Sequence, residues 1–220
     1  MPLACYNRDP FFIIRENLSM TMLIGSKAPD FTAAAVMANG EINNTFHFAE
    51  QTHGKYALVF FYPLDFTFVC PSELIALDHR IDEFTQRNTI VMGVSIDSQF
   101  THNAWRKTAI ADGGIGPVRF PLIADVNHAI CQAYGVEHPT AKVALRGAFI
   151  IDRDGIIKHQ TVNDLPLGRN IDELIRYIDA IQFVEKHGDV CPAGWMKGKA
   201  AIKPNEKGIA SFLAAEAQGL

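Results

Sequence analysis

A chain of 220 residues, 48% hydrophobic and 20% charged, is long enough to bury about two-thirds of its unfolded surface and too apolar for a disordered segment. Its formal net charge of -4 gives no pull toward nucleic acid or an anionic membrane, and no apolar run nears the length of a transmembrane span. Four cysteines, at 5, 70, 131 and 191, are too sparse for a disulfide-stapled scaffold or a paired zinc framework, which points to a reducing, cytoplasmic setting.

The first apolar run, residues 11–14, is followed at once by Arg15 and Glu16 and is too short for a secretory signal. Met20 and Met22 directly precede a globular pattern, so residues 1–22 are expected to be an extension, disordered or ahead of the true start. A domain over 23–187 and a tail over 188–220 are expected to follow. "KYALVFFYP" (55–63) is a nearly continuous apolar run, as in a strand buried on both faces. "PSELIALDHRIDEFTQRN" (71–88) sets Leu74, Leu77, Ile81 and Phe84 at helical spacing. "NTIVMGVSID" (88–97) is a second strand. "SQFTHNAWRKTAI" (98–110) is a helix opened by Ser98, and "DVNHAICQAYG" (125–135) one closed by Gly135.

"GAFIID" (147–152) is a third strand, which "RDG" (153–155) turns into "IIKHQTV" (156–162) as an antiparallel hairpin. "NIDELIRYIDAIQFVEKHG" (170–188) is a terminal helix with Asn170 as N-cap, Glu173 three residues on and Gly188 as stop. "CPAGWMKGKAAIKPNEKG" (191–208) reads as irregular. This order predicts an α/β fold, a central mixed β-sheet flanked by helices with an extended C-terminal tail.

Cys70 follows the first strand and a short loop, and Pro71 suits the first helical position because its missing N–H has no partner to lose there. Cys70 is then at or near the N-cap with Glu73 at the third helical position, and free helix N–H groups favour the anion, the nucleophilic form of a thiol. A helix end supplies only about 0.3–1 kcal/mol, under one pKa unit, whereas reactive cysteines in general sit about one to five units below a free thiol. Glu73 works against ionisation. A fixed cation is therefore required, and Arg146, at the entrance of the 147–152 strand, is the candidate to bridge Glu73 and the sulfur. Position alone leaves open whether Cys70 is reactive or a small core residue.

Pro63-x-x-x-Thr67-x-x-Cys70, within "FYPLDFTFVCPSEL" (60–73), resembles the active-site signature of the peroxiredoxins, in the typical 2-Cys branch that includes the peroxidase subunit of bacterial alkyl hydroperoxide reductase. "GSKAPDFTA" (25–33), "SIDSQFTHNAWRKT" (95–108), "LRGAFIIDRDG" (145–155) and "HGDVCPAGW" (187–195) also resemble that family, in its order. The resemblance implies a thioredoxin-like fold and a thiol peroxidase for hydrogen peroxide and small organic hydroperoxides. It implies that Cys70 is the peroxidatic cysteine, that Thr67 bonds the attacked peroxide, that Pro63 shields the thiolate from water, and that Arg146, held by Glu73, polarises sulfur and peroxide. Cys191 becomes the resolving cysteine, joined to Cys70 of a partner subunit. A homodimer, assembled further into a decamer, is implied as well, with no cofactor. The electron donor is thioredoxin or a dedicated disulfide reductase, since the chain has no C-x-x-C of its own.

The remaining features have plainer readings. Cys131 reads as core packing and Cys5 as incidental. His128, Cys131 and His138 have no standard zinc spacing, so no metal is expected. "GGIGP" (113–117) is not a dinucleotide loop, lacking the G-x-G-x-x-G spacing. It is one residue from a Gly-Gly-Leu-Gly block that accompanies overoxidation sensitivity in the family, but the tail has Ser211-Phe212 in place of the Tyr-Phe pair. Intermediate or robust behaviour is expected. Trp105 and Trp195 read as packing residues. Two other functions stay open: thiol–disulfide exchange, against which the missing C-x-x-C argues, and the holding of unfolded clients by a large oligomer.

Overall fold

A computed structural model describes residues 22–219; Cys5 and nearly all of the expected extension lie outside the described residues. Strands β1 (Thr32–Val36), β2 (Ile42–His47), β3 (Tyr56–Phe61), β4 (Thr89–Ser95), β5 (Leu122–Ala124), β6 (Arg146–Ile151) and β7 (Ile157–Asn163) form one sheet in the order β2-β1-β5-β4-β3-β6-β7. β3 runs parallel to β4 and antiparallel to β6, and β6 to β7 is the expected antiparallel hairpin. Helices α1 (Phe48–Thr52), α2 (Cys70–His79), α3 (Ile81–Gln86), α4 (Gln99–Lys107), α5 (Ala129–Ala133), α6 (Ile171–His187) and α7 (Glu206–Glu216) surround it. The mixed, helix-flanked sheet agrees with the expectation.

β3 shows why its sequence is almost wholly apolar. Leu58 and Phe60, with Tyr62 beyond the strand, join the core layer built with Leu74 and Leu77 of α2, Ile81 and Phe84 of α3 and the apolar face of α6. Ala57, Val59 and Phe61 face the other layer, with Phe48 of α1 and Ile130 and Cys131 of α5. Alternate side chains of one strand thus feed two cores, as the period of two requires. α6 is capped as expected: Asn170 Oδ1 accepts from the N–H of Asp172 at 2.9 Å, and Gly188 ends it at a φ of 72°.

Several elements differ from the sequence reading. The helix expected over 71–88 is two, α2 and α3, divided at Arg80, whose backbone (φ -105°, ψ 6°) turns the chain so that Ile81 and Phe84 reach the same core layer as Leu74 and Leu77. The 98–110 helix stops at Lys107, because Thr108 is already extended. The 125–135 helix shrinks to α5: His128 is left-handed, and the Asp125 carboxylate caps the short helix by accepting from the N–H groups of Ile130 and Cys131. β1 and β2 were not expected at all. The tail is not irregular throughout, since α7 begins at Glu206 with Asn205 Oδ1 accepting from the Gly208 N–H at 2.8 Å. Among the described residues, no helix is long and apolar enough to cross a membrane.

Candidate active site

Three elements converge at the C-terminal end of β3. The chain leaves the strand through Tyr62 and the buried Pro63, loops over residues 64–69, and enters α2 at Cys70. Val69 is the cap residue, so Cys70 is the first helical residue, Pro71 the second and Glu73 the fourth, one position deeper than expected. The first turn is lightly tied: the Glu73 N–H donates to the Val69 carbonyl at 3.3 Å, and Ser72 Oγ to the same carbonyl at 2.6 Å. Antiparallel pairing of β6 with β3 places Arg146, first residue of β6, beside this helix mouth, as the sequence reading required.

Cys70 is fully buried, and Thr67 Oγ1 lies 2.9 Å from its sulfur and 2.9 Å from the Leu64 carbonyl. One hydroxyl hydrogen cannot serve both at once. Beside a thiol, Thr67 donates to Leu64 and accepts from S–H; beside a thiolate it turns its hydrogen to the sulfur. Arg146 Nη1 is 3.5 Å from the same sulfur and 2.7 Å from Glu73 Oε2, while its Nε donates to the Leu165 carbonyl at 2.6 Å. The Arg146 and Glu73 side chains are 4% and 3% exposed, so this is a buried pair.

A second arginine completes the group. Arg169 donates to Glu73 Oε1 through its backbone N–H and its Nε, both at 2.8 Å, and to Oε2 through Nη2 at 3.0 Å. Its Nη1 reaches the carbonyls of Phe61 at 2.8 Å and Gly147 at 2.6 Å, and the guanidinium lies 5.2 Å over the Phe60 ring. Glu73 is therefore held between two cations, and the three side chains sum to one positive charge next to the Cys70 sulfur. That settles the conflict posed by an acidic residue at the helix mouth. Sequence reasoning missed Arg169. It sits in "PLGRN" just ahead of the α6 N-cap, and only the demand of a buried carboxylate for a second cation could have pointed to it.

Cys191 lies elsewhere in the chain. Its thiol donates to the Ala180 carbonyl of α6 at 3.9 Å, and burial pushes it up against the opposing pull of Arg176. Both Cys70 and Cys191 are free thiols, and one chain does not join them. The tail is seated on α6 through Trp195, whose carbonyl accepts from Arg176 Nη1 at 3.1 Å and whose ring is 4.8 Å from that of Phe183. Trp105 is likewise buried. Cys131 is a core residue as expected, its thiol pushed up to about 12 by burial and the Asp125 carboxylate. His128 Nδ1 is paired with Glu137 at 2.8 Å, while His138 Nδ1 accepts from the Ala141 N–H at 3.1 Å, so the two histidines serve different local contacts.

Residues 24–160 match the AhpC/TSA family. The chain belongs to that family of peroxiredoxins. A second match, over residues 180–214, is to the C-terminal domain of 1-Cys peroxiredoxin, and Cys191 falls within it. This peroxiredoxin is 50% identical over 192 residues to alkyl hydroperoxide reductase C of Buchnera aphidicola subsp. Baizongia pistaciae, covering 87% of the chain and 96% of the relative. To the chloroplastic 2-Cys peroxiredoxin BAS1 of Hordeum vulgare it is 47% identical, over 88% and 91% of the two chains. The reduced 2-Cys peroxiredoxin of Plasmodium vivax superposes with a TM-score of 0.84 at 47% identity, covering 88% of this chain and all of that one. The fold is thus the thioredoxin-like fold of the 2-Cys peroxiredoxins, and the enzyme class is the thiol peroxidase expected from the sequence.

Proposed function

We propose that this peroxiredoxin reduces hydrogen peroxide and small organic hydroperoxides at Cys70 and is resolved by Cys191 of a partner subunit. The Cys70 thiolate attacks the nearer peroxide oxygen, the O–O bond breaks, and the departing oxygen takes a proton to leave as water or an alcohol. The sulfur keeps the other oxygen as a sulfenic acid. A Cys191 thiol then attacks that sulfur, forming the disulfide and releasing water, and an external dithiol such as thioredoxin or a dedicated reductase restores both thiols.

The observation that carries this reading is Arg146 Nη1 at 3.5 Å from the Cys70 sulfur while bonded to Glu73, with Thr67 Oγ1 at 2.9 Å on the same sulfur. In the transition state negative charge passes from sulfur to the departing oxygen, and donors fixed at that spot stabilise it. Thr67 is free to turn its hydrogen from carbonyl to oxygen, Arg146 supplies the charge, buried Pro63 keeps water off the sulfur, and Glu73 with Arg169 holds Arg146 in place. Residues 23–187 serve as the peroxidase domain and 188–220 as the arm bearing the resolving thiol. Residues 25–27 pair with the start of β7 at Ile156 and Ile157, but among the described residues no strand covers its outer edge beyond that, and it has no proline, which suits pairing with a second copy in a homodimer, and dimers suit assembly into a decamer. The sparse free thiols suit a cytoplasmic location.

Reduced protein treated with one equivalent of hydrogen peroxide tests the proposal. A linked Cys70–Cys191 peptide and a disulfide-bonded dimer on a non-reducing gel are expected, with neither in Cys70→Ser or Cys191→Ser. Wild-type protein that leaves the peroxide unconsumed would sink it.

A further inference from the structure

The loop between β3 and α2 is fastened at a residue the peroxide chemistry does not touch. Asp65 has a wholly buried side chain, whose Oδ1 accepts from Tyr62 Oη at 2.9 Å and whose Oδ2 lies 2.7 Å from Nδ1 of the equally buried His102 on α4. His102 Nε2 is 3.2 Å from the Ile123 carbonyl of β5. A carbonyl only accepts, so that nitrogen carries hydrogen, and one further proton is shared between Nδ1 and the carboxylate. The Asp65 N–H donates to Asp97 Oδ2 at 2.9 Å, which Ser95 Oγ also binds at 2.7 Å. A single loop residue is thus pinned by α4 through its side chain and by Asp97, just past β4, through its backbone.

What the pin restrains comes next in sequence. Phe66 sits at a φ of 53°, the left-handed region that an aromatic residue avoids, with its ring 5.9 Å from that of Trp105. Thr67 follows on the same loop and Cys70 opens the helix after it, and Thr67 touches the sulfur. A strained residue persists only where its surroundings over-determine it. Here the surroundings are the Asp65 contacts on one side and the Trp105 ring on the other.

We propose that Asp65 and His102 are positioning residues, a buried pair that holds the loop closed over Cys70 for peroxide attack and whose release lets the sulfur emerge for disulfide formation. The proposal rests on the peroxidase reading above and adds two residues that touch neither peroxide nor sulfur. Loss of the pair slows the first chemical step and speeds the second, an opposition that a general loss of stability does not produce.

The test follows both steps in rapid mixing, with sulfenic acid on Cys70 and the Cys70–Cys191 disulfide quantified by mass spectrometry. Asp65→Ala and His102→Leu are each expected to slow the reaction with hydrogen peroxide by roughly tenfold to hundredfold, the scale set by misplacing a reacting group by about 1 Å. Disulfide formation from the sulfenic acid should become faster in both. The double variant should be no slower than either single one, and His102→Asn, whose amide still donates to Asp65, should recover most of the rate. Unchanged rates, both steps slowed together, or single effects that multiply in the double variant would each overturn the proposal. Should the variants fail to fold, hydrogen exchange on the wild type decides: the Asp65 amide is protected in the reduced form and exchanges faster in the disulfide form, and equal protection in both refutes the pin. Wild-type protein that forms no sulfenic acid on Cys70 refutes the peroxidase reading instead.

Discussion

Replacing Arg146 measures how much of the chemistry depends on one buried cation. Its Nη1 serves both Glu73 and Cys70, and its Nε is spent on the Leu165 carbonyl. Methionine at 146 fills much of the space and supplies no donor. Glu73 keeps Arg169, so the charges beside the sulfur then cancel with a neutral thiol and sum to minus one with a thiolate, each one unit more negative than with Arg146 in place. A donor aimed at developing charge is worth about 2.7–4 kcal/mol, or a factor of about 10²–10³. The 3.5 Å contact is long, which places Arg146→Met near the lower end, about hundredfold slower with hydrogen peroxide. Arg146→Lys keeps the charge but has one nitrogen for three acceptors, and should fall roughly tenfold. Breaking a buried pair costs about 3–5 kcal/mol when the partner is left alone. Glu73 is not left alone, so we expect about 1–3 kcal/mol, within the roughly 5–15 kcal/mol that a domain has in hand. Stopped-flow mixing of reduced protein with peroxide reads the rate, and urea midpoints read the stability. A folded Arg146→Met within about threefold of wild type, under about 0.7 kcal/mol of transition-state energy, would refute the reasoning.

Other expectations can be checked on the same preparations. Cys131, held at about 12, should resist alkylation of the native protein at neutral pH while Cys191 reacts; labelling of both at one rate contradicts its burial. Burial, aided by Arg176, holds His159 at about 4 instead of 6.5, so the unfolded chain takes up that proton first. Stability from this group is full above pH 6.5 and falls as the pH drops toward 4, and His159→Gln should flatten that slope in urea midpoints; an unaltered slope rules it out. Arg169→Met should slow the peroxide step without preventing disulfide formation, because Arg169 acts through Glu73; a rate equal to wild type contradicts this. At low peroxide, sulfinic acid on Cys70 should accumulate slowly, given Ser211-Phe212 in the tail, and rapid inactivation would contradict that.

Much of this fold could be read from periodicity. β3, the β6–β7 hairpin and α6 combine uninterrupted apolar patterns with strong stop signals, and each formed where expected. β1 and β2 escaped because "TAAAV" and "INNTFH" are rich in alanine and asparagine, which disfavour strands; their pairing is imposed by neighbours on the sheet. The divide at Arg80 carries no proline or glycine to announce it. At the site, Thr67, Cys70, Glu73 and Arg146 come together because a helix mouth and the start of an antiparallel neighbour must meet. Arg169 stands 96 residues from Glu73, and no local pattern encodes such a partner. The role proposed for Cys191 involves a second subunit, which one chain cannot display.

The helix that bears the reactive sulfur is ten residues long and ends abruptly at Arg80. Fraying that starts at its mouth loosens the 3.3 Å bond from the Glu73 N–H to Val69 and the contacts of Thr67 and Arg146 with Cys70, and then meets Leu74 and Leu77 lodged in the core. The excursion that the proposed disulfide step demands would thereby be confined to a turn of chain, with the sheet behind it intact. Warming should accordingly abolish peroxide consumption several degrees before the far-ultraviolet signal of the whole domain begins to fall.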